Sequence, residues 1–260
     1  MSKKQAIQSG VIGSYLFAIV MNFLANSIPF NQISTGEVSA KYDNLFTPAS
    51  LTFGIWIVIY VWLFAFVLYA INITQKDPTL NIKQTEQIYI LFIINMIANG
   101  FWLLFWHYEL LIIALILIVI MLVTLSRINR ILTVDALAQE ERMFMLYPFS
   151  IYFGWISIAT IANINAIAVD IGWYEAPPGG ITWTIVVLLL AALITNATLI
   201  HFKLTTYGFV ILWATLGIVI RHTTAGGFDN EFPVIITLAS MVFIGTTIVT
   251  GIVFRNNAMQ

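Results

Sequence analysis

Cysteine is absent from this 260-residue chain. That excludes disulfides, thiol nucleophiles and thiolate metal sites. Charge is scarce as well: Asp, Glu, Lys and Arg make up 9% of the residues, against about a quarter in soluble domains. The formal net charge is −1 and there is no basic block, so nothing points to nucleic acid as a partner. What replaces charge is apolar bulk, at 60% of the chain. A soluble core does not need that fraction. The chain reads as an all-α, polytopic membrane protein, with membrane lipid as its first partner.

Runs of roughly 20 apolar residues are long enough to cross a bilayer as helices. Eight occur, at about 11–30, 50–72, 87–106, 109–126, 143–169, 181–202, 204–220 and 232–254. The first is too long for a signal-peptide core and lacks a clear cleavage site, so it counts as a span. Only His107–Glu109 separate the third and fourth, which predicts a tight hairpin. "APPGG" (Ala176–Gly180) is the strongest helix-breaking punctuation and divides the runs into five and three. With eight crossings, Lys3, Lys4, Lys76, Lys83, Arg127, Arg130, Arg142, Lys203 and Arg255 share one side. Only Lys41 and Arg221 lie on the other. By the positive-inside rule this bias predicts that both termini are cytoplasmic.

The interiors of these runs hold no Asp, Glu, Lys or Arg, and Glu109 stands only at the first position of the fourth. Ion-coupled transporters and proton pumps keep ionisable groups at membrane depth, so an ion-driven mechanism has no footing. His107, His201 and His222 sit at span ends, scattered in sequence, and are expected as interfacial or loop residues rather than metal ligands. No metal or resident cofactor is expected.

Amides and indoles fill the spans instead. Asn95, Asn99, Trp102 and Trp106 step by four, three and four, which puts them on one helix face. Trp155, Ala159 and Asn163 step by four, with Thr160 beside them, and Asn22 and Asn26 are also four apart. The stretch "LFTPASLTFGIWIVIYVW" (45–62) sets Phe53, Trp56 and Tyr60 along one face. If these faces converge they line an apolar, aromatic cavity with a few amides, which suits a flat hydrophobic ligand. The competing reading is packing: Asn bonds neighbouring helices, and Trp marks membrane interfaces. Trp62, Trp106, Trp173 and Trp183 fit that second description.

These residues resemble the translocator protein / tryptophan-rich sensory protein family (TspO/MBR). The resemblance rests on Pro48 ahead of Phe53, Trp56 and Tyr60, on "NGFWLLFW" (Asn99, Trp102), and on "WISIATIAN" (Trp155, Ala159, Thr160, Asn163) after Pro148. It covers about residues 10–170. The spacing from Phe53 to Trp56 is one residue short of the family pattern, and a single proline stands where the family often has two. No Lys or Arg completes a cholesterol motif after the fifth span. The resemblance implies a five-helix core at 1–175; the apolar runs in 176–260 add three helices that the usual five-helix family lacks, and the chain is expected in a bacterial inner membrane. It implies binding of porphyrins and similar flat ligands, and a possible homodimer. The implied ligand-binding residues are Trp56, Tyr60, Asn99, Trp102, Trp155, Ala159 and Asn163. Some bacterial members are proposed to promote porphyrin breakdown through the tryptophans matching Trp56 and Trp155. The sequence supplies no acid–base group to go with it, so the reading is a binding protein (sensor, receptor or carrier) and no catalytic residue is named. The alternative is a secondary transporter of small neutral or hydrophobic solutes.

In the added region, Thr247 and Gly251 form a small-xxx-small pair, expected as a packing face. "PPGGITWTIVVL" faintly echoes "TPASLTFGIWIVIY". The loop "RHTTAGGFDNEF" is expected to be solvated.

Overall fold

A computed structural model describes residues 2–28, 30–71, 79–133, 137–176 and 179–259. Lys76 of the basic set, and Pro177 and Pro178 of the interhelical break, lie outside the described residues. The described residues are helical with no strand. The long helices are α1 (Lys3–Ser27), α3 (Ile55–Ala70), α4 (Ile82–His107), α5 (Leu111–Leu132), α7 (Tyr147–Asp170), α8 (Gly180–Phe202), α9 (Thr205–Thr223) and α10 (Pro233–Ala258). Two short pieces complete the set: α2 (Thr35–Lys41) lies between α1 and α3, and α6 (Gln139–Glu141) leads through a π-helical turn, Arg142–Leu146, into α7.

Local chemistry sets several starts. Ser2 with Gln5, Ser34 with Glu37 and Asn81 with Gln84 form reciprocal capping boxes on α1, α2 and α4. Pro233 occupies the first turn of α10, where a missing N–H costs nothing; Pro148 follows directly on the π-helical turn Arg142–Leu146, where the i→i−4 ladder is already interrupted. The hairpin between α4 and α5 turns at Glu109, in the left-handed region.

Packing runs in the order α1, α4, α5, α7, α9, α10, α8, with α3 laid against α1 and α7. The span containing α7 is the most buried of the long apolar helices, at 67%. Large apolar side chains such as Ile57, Val61, Ile112 and Leu193 are exposed on the outer faces. In an aqueous protein that would be an aggregation hazard; here it is the surface a bilayer covers. Seven helices among the described residues are long and apolar enough to cross a membrane. The eighth expected span, α9, is a helix of 19 residues with Arg221 and His222 in its last turn, and it falls outside that set.

After Pro48 a 3₁₀ turn, Ser50–Gly54, intervenes before α3. One expectation shifts in this frame. The small-residue face of α10 is one position round from Thr247 and Gly251. Gly251 has open space around it, whereas Thr246 accepts a hydrogen bond from Asn196 (3.1 Å) and Thr250 presses on Gly208.

The segment 43–54 crosses the α2 end of the bundle and is held by α9. The Ala49 amide donates to Gly217 O at 3.0 Å. Trp213 Nε1 donates to Thr52 O at 2.9 Å, and Arg221 donates to Thr47 O at 3.0 Å while pairing with Asp43. His222 Nε2 meets Leu45 O at 2.9 Å, and Tyr174 Oη accepts from the Leu45 amide at 2.7 Å. This segment roofs the space described next.

Candidate functional site

Helix register brings the aromatic residues together. Trp56 and Tyr60, one turn apart on α3, stack with centroids 5.3 Å apart. Trp155 of α7 meets Trp56 edge-on at 6.2 Å, and Phe53 packs edge-on against Trp155 at 5.7 Å. Phe53 reaches this position because it lies in the 3₁₀ turn, where residues three apart eclipse. The short spacing to Trp56 is therefore absorbed by backbone geometry. Trp102 and Trp106 of α4 stack at 5.7 Å.

Trp56, Trp102, Trp155, Ala159 and Asn163 line one cavity, joined by Phe53, Trp106 and the roof residues Asn44, Thr47 and Pro48. Its volume is about 60 Å³. Ala159 sits one turn from Trp155 and keeps the α7 wall thin; Ala162 and Ala166 extend that small-residue strip. Asn163 accepts from Trp102 Nε1 at 3.4 Å, and its own amide nitrogen donates to Ala159 O at 3.3 Å. Trp155 is 2% exposed and its Nε1 has no hydrogen-bond partner among the described residues. A buried unpaired N–H costs about 1–3 kcal/mol, so an acceptor for this indole would be stabilising.

Tyr60 and Asn99 lie beneath the cavity rather than on its wall. They form a relay across four helices. Asn22 Nδ2 donates to Tyr60 Oη (2.6 Å), Tyr60 Oη donates to Asn99 Oδ1 (2.9 Å), and Asn99 Nδ2 donates to Tyr152 Oη (2.8 Å). The relay fixes α1, α3, α4 and α7 against one another and so holds the cavity's floor. Asn95 faces the other way, donating to Met121 O and Thr124 Oγ1 on α5. Thr160 also turns away and bonds Ile156 O within its own helix.

The cavity continues into a wider vestibule of about 820 Å³. The two spaces share Thr35, Ser39, Thr47, Pro48, Phe53, Trp56 and Trp102. On its far side the vestibule is bounded by Asn22 and Asn26 of α1 and by Arg221 and Gly227 of the α9–α10 region. Helix α2 forms part of its edge, pinned by Lys41 and Tyr42 to Glu109. Lys41 and then Tyr42 hold the Glu109 carboxyl below its ordinary value. Burial, and then this carboxylate, push the Tyr42 phenol up.

Several of these residues were not legible in sequence. Trp106 is a cavity wall, 5% exposed, and not an interfacial residue. His107 and His222 are fully buried at helix ends and bond backbone carbonyls, so they are not loop residues. Arg221 and Gly227 enter from a region that carries no aromatic motif.

A family model described as TSPO-like protein matches residues 8–253. The chain belongs to that family. The match runs through α8, α9 and most of α10, so in this TSPO-like protein the C-terminal helices lie within the family pattern. Neither a curated protein nor a solved structure matches the chain.

Proposed function

We propose that this TSPO-like protein is a membrane-embedded binding protein, a sensor or carrier, for flat hydrophobic ligands such as porphyrins and other tetrapyrroles. The single observation behind this reading is the convergence of Trp56, Trp102 and Trp155 on one cavity beside an indole N–H that lacks a partner among the described residues. Indole walls favour a planar π-system, because offset and edge-on ring contacts add about 0.5–1.5 kcal/mol to simple burial. The N–H supplies one directional contact, as in most ligand pockets.

Size refines the proposal. The aromatic cavity alone holds only a few water-sized volumes at about 10–15 Å³ each, well short of a macrocycle. The vestibule falls in the usual range for ligand sites, about 300–1,000 Å³. The ligand therefore rests in the vestibule, with one edge against Phe53, Trp56 and Trp102, and the 43–54 roof lies over it. Both termini are proposed to face the cytoplasm, from the basic-residue bias.

The test is binding selectivity in detergent or nanodiscs. A planar tetrapyrrole should bind saturably and compete with other planar macrocycles. A puckered hydrophobe of similar carbon number, such as a sterol, should compete at least tenfold less well. Equal competition by both would remove the aromatic-cavity reading.

A further inference from the structure

Outside the aromatic cavity and its vestibule, the structure holds a second built recess, a groove of about 630 Å³ along α7. Its floor is Phe153, Thr160 and Ile164 of α7. Helices α5 and α8 both pack on α7 and give the two walls, through Leu122 and Val123 on one side and Ile194 and Thr198 on the other. From Phe153 to Ile164 the floor runs about 17 Å at helical rise.

The hydroxyls in this groove do not make it polar. Ser157, Thr160, Thr195 and Thr198 each donate to the carbonyl four residues back in their own helix. Their donors are satisfied, and apart from Gln87 and Ser126 the rest of the lining up to the arginines is apolar. The groove's end has a different character. Arg127 and Arg130, three apart on one face of α5, line the same recess and are exposed. Neither forms an ion pair among the described residues.

We infer that this groove binds one anionic phospholipid, with an acyl chain along α7 and the phosphate between Arg127 and Arg130. Guanidinium groups are the side chains best shaped for phosphate, donating two parallel hydrogen bonds apiece. An apolar slot ending in two positive charges that have no ion pair among the described residues matches a molecule with one apolar and one anionic part. A transmembrane helix of a second copy would fill the slot equally well but would leave the charges unmatched. The exposed apolar face of α10, with Met241, Ile244, Ile248 and Ile252, contains no acid to meet them.

The absence of cysteine makes the test clean. A single Ile161→Cys, on the groove floor, carries a bimane fluorophore, with Ile164→Cys as a second placement should the first misfold. The labelled protein is placed in phosphatidylcholine vesicles containing the same mole fraction of brominated phosphatidylglycerol or brominated phosphatidylcholine. The expected result is at least threefold stronger quenching by the anionic lipid, lost in Arg127→Gln/Arg130→Gln. Those side chains are exposed and form no ion pair among the described residues, so the double variant should fold. Equal quenching by both lipids, or a preference that survives in the double variant, overturns the inference. So does efficient disulfide formation between two copies through the unlabelled cysteine, since a second chain would then cover the groove.

Discussion

Gly217→Ala probes the join between α9 and the roof of the vestibule. A Cβ at Gly217 would stand 2.1 Å from Thr52 Oγ1 and 2.9 Å from Pro48 Cβ. Turning Thr52 about χ1 can carry the hydroxyl away, but Pro48 Cβ at 2.9 Å and Thr52 Cβ at 3.1 Å still require the roof and α9 to part by about 0.5 Å to reach ordinary contact at 3.4 Å. That movement breaks the 3.0 Å bond from the Ala49 amide to Gly217 O, because hydrogen bonds weaken steeply past about 3.2 Å. The lost bond is worth about 0.5–1.5 kcal/mol, and overpacking adds about 1–3 kcal/mol. The variant should therefore lose roughly 2–4 kcal/mol of stability. Because Pro48 and Phe53 belong to both the displaced roof and the cavity wall, porphyrin affinity should fall several-fold as well. Thermal unfolding in detergent and a binding titration read the two effects. Adding Thr52→Ala removes the closest atom and should restore part of both losses, a coupling that a double-mutant cycle isolates. Wild-type stability and affinity in Gly217→Ala, or no recovery in the pair, would refute the claim that α9 positions the roof.

Asn99→Leu removes the centre of the Tyr60–Asn99–Tyr152 relay, and unfolding measurements should show a loss of about 1–2 kcal/mol, the upper range for hydrogen bonds between membrane helices. Glu109 has its carboxyl lowered by Lys41 and Tyr42, so its hold on α2 is fully present above the ordinary carboxylate value of 4.5 and is lost as pH falls through the lowered one. A spin label at Ser39→Cys should keep constant mobility from pH 8 down to 5 and become mobile only in stronger acid; a transition near neutrality would contradict this. Reporter fusions after Gln260 and within residues 224–230 should label opposite sides of the membrane, and labelling of the same side by both would mean that α10, the helix between them, does not cross.

The fold was largely legible because burial in a bilayer leaves a coarse signal. Long apolar runs and the His107–Glu109 break located the helices, although α1 starts eight residues before its expected run and α5 ends six residues after its own, because polar helix ends carry no hydropathy signal. The α7 face of Trp155, Ala159 and Asn163 was legible for the same reason: one helix, one period. What sequence periodicity does not carry is which neighbour a face meets. Asn95 and Asn99 share a face by spacing, yet one bonds α5 and the other bonds Tyr152. Trp106 looked interfacial because it sits at a span end, but the α2 segment folds back over it, and its Nε1 donates to Thr35 O at 3.4 Å. The 3₁₀ turn before α3 hid the way Phe53 reaches Trp155. The share of α9 in the vestibule was invisible because it is made by backbone carbonyls, a glycine and Arg221, none of which forms a local motif.

The most direct test of the central claim is a porphyrin titration by tryptophan fluorescence on wild type and Ala159→Leu, with thermal stability measured on the same samples. Ala159 faces the 60 Å³ cavity, so the three added carbons enter empty space and should not lower stability, whereas overpacking a filled bundle would cost about 1–3 kcal/mol. The same atoms occupy the room that a ligand edge needs. Saturable quenching in wild type, at least tenfold weaker binding in the variant and a nearly unchanged melting temperature are the expected results. Unchanged affinity together with a large fall in melting temperature would show that these residues only hold helices together.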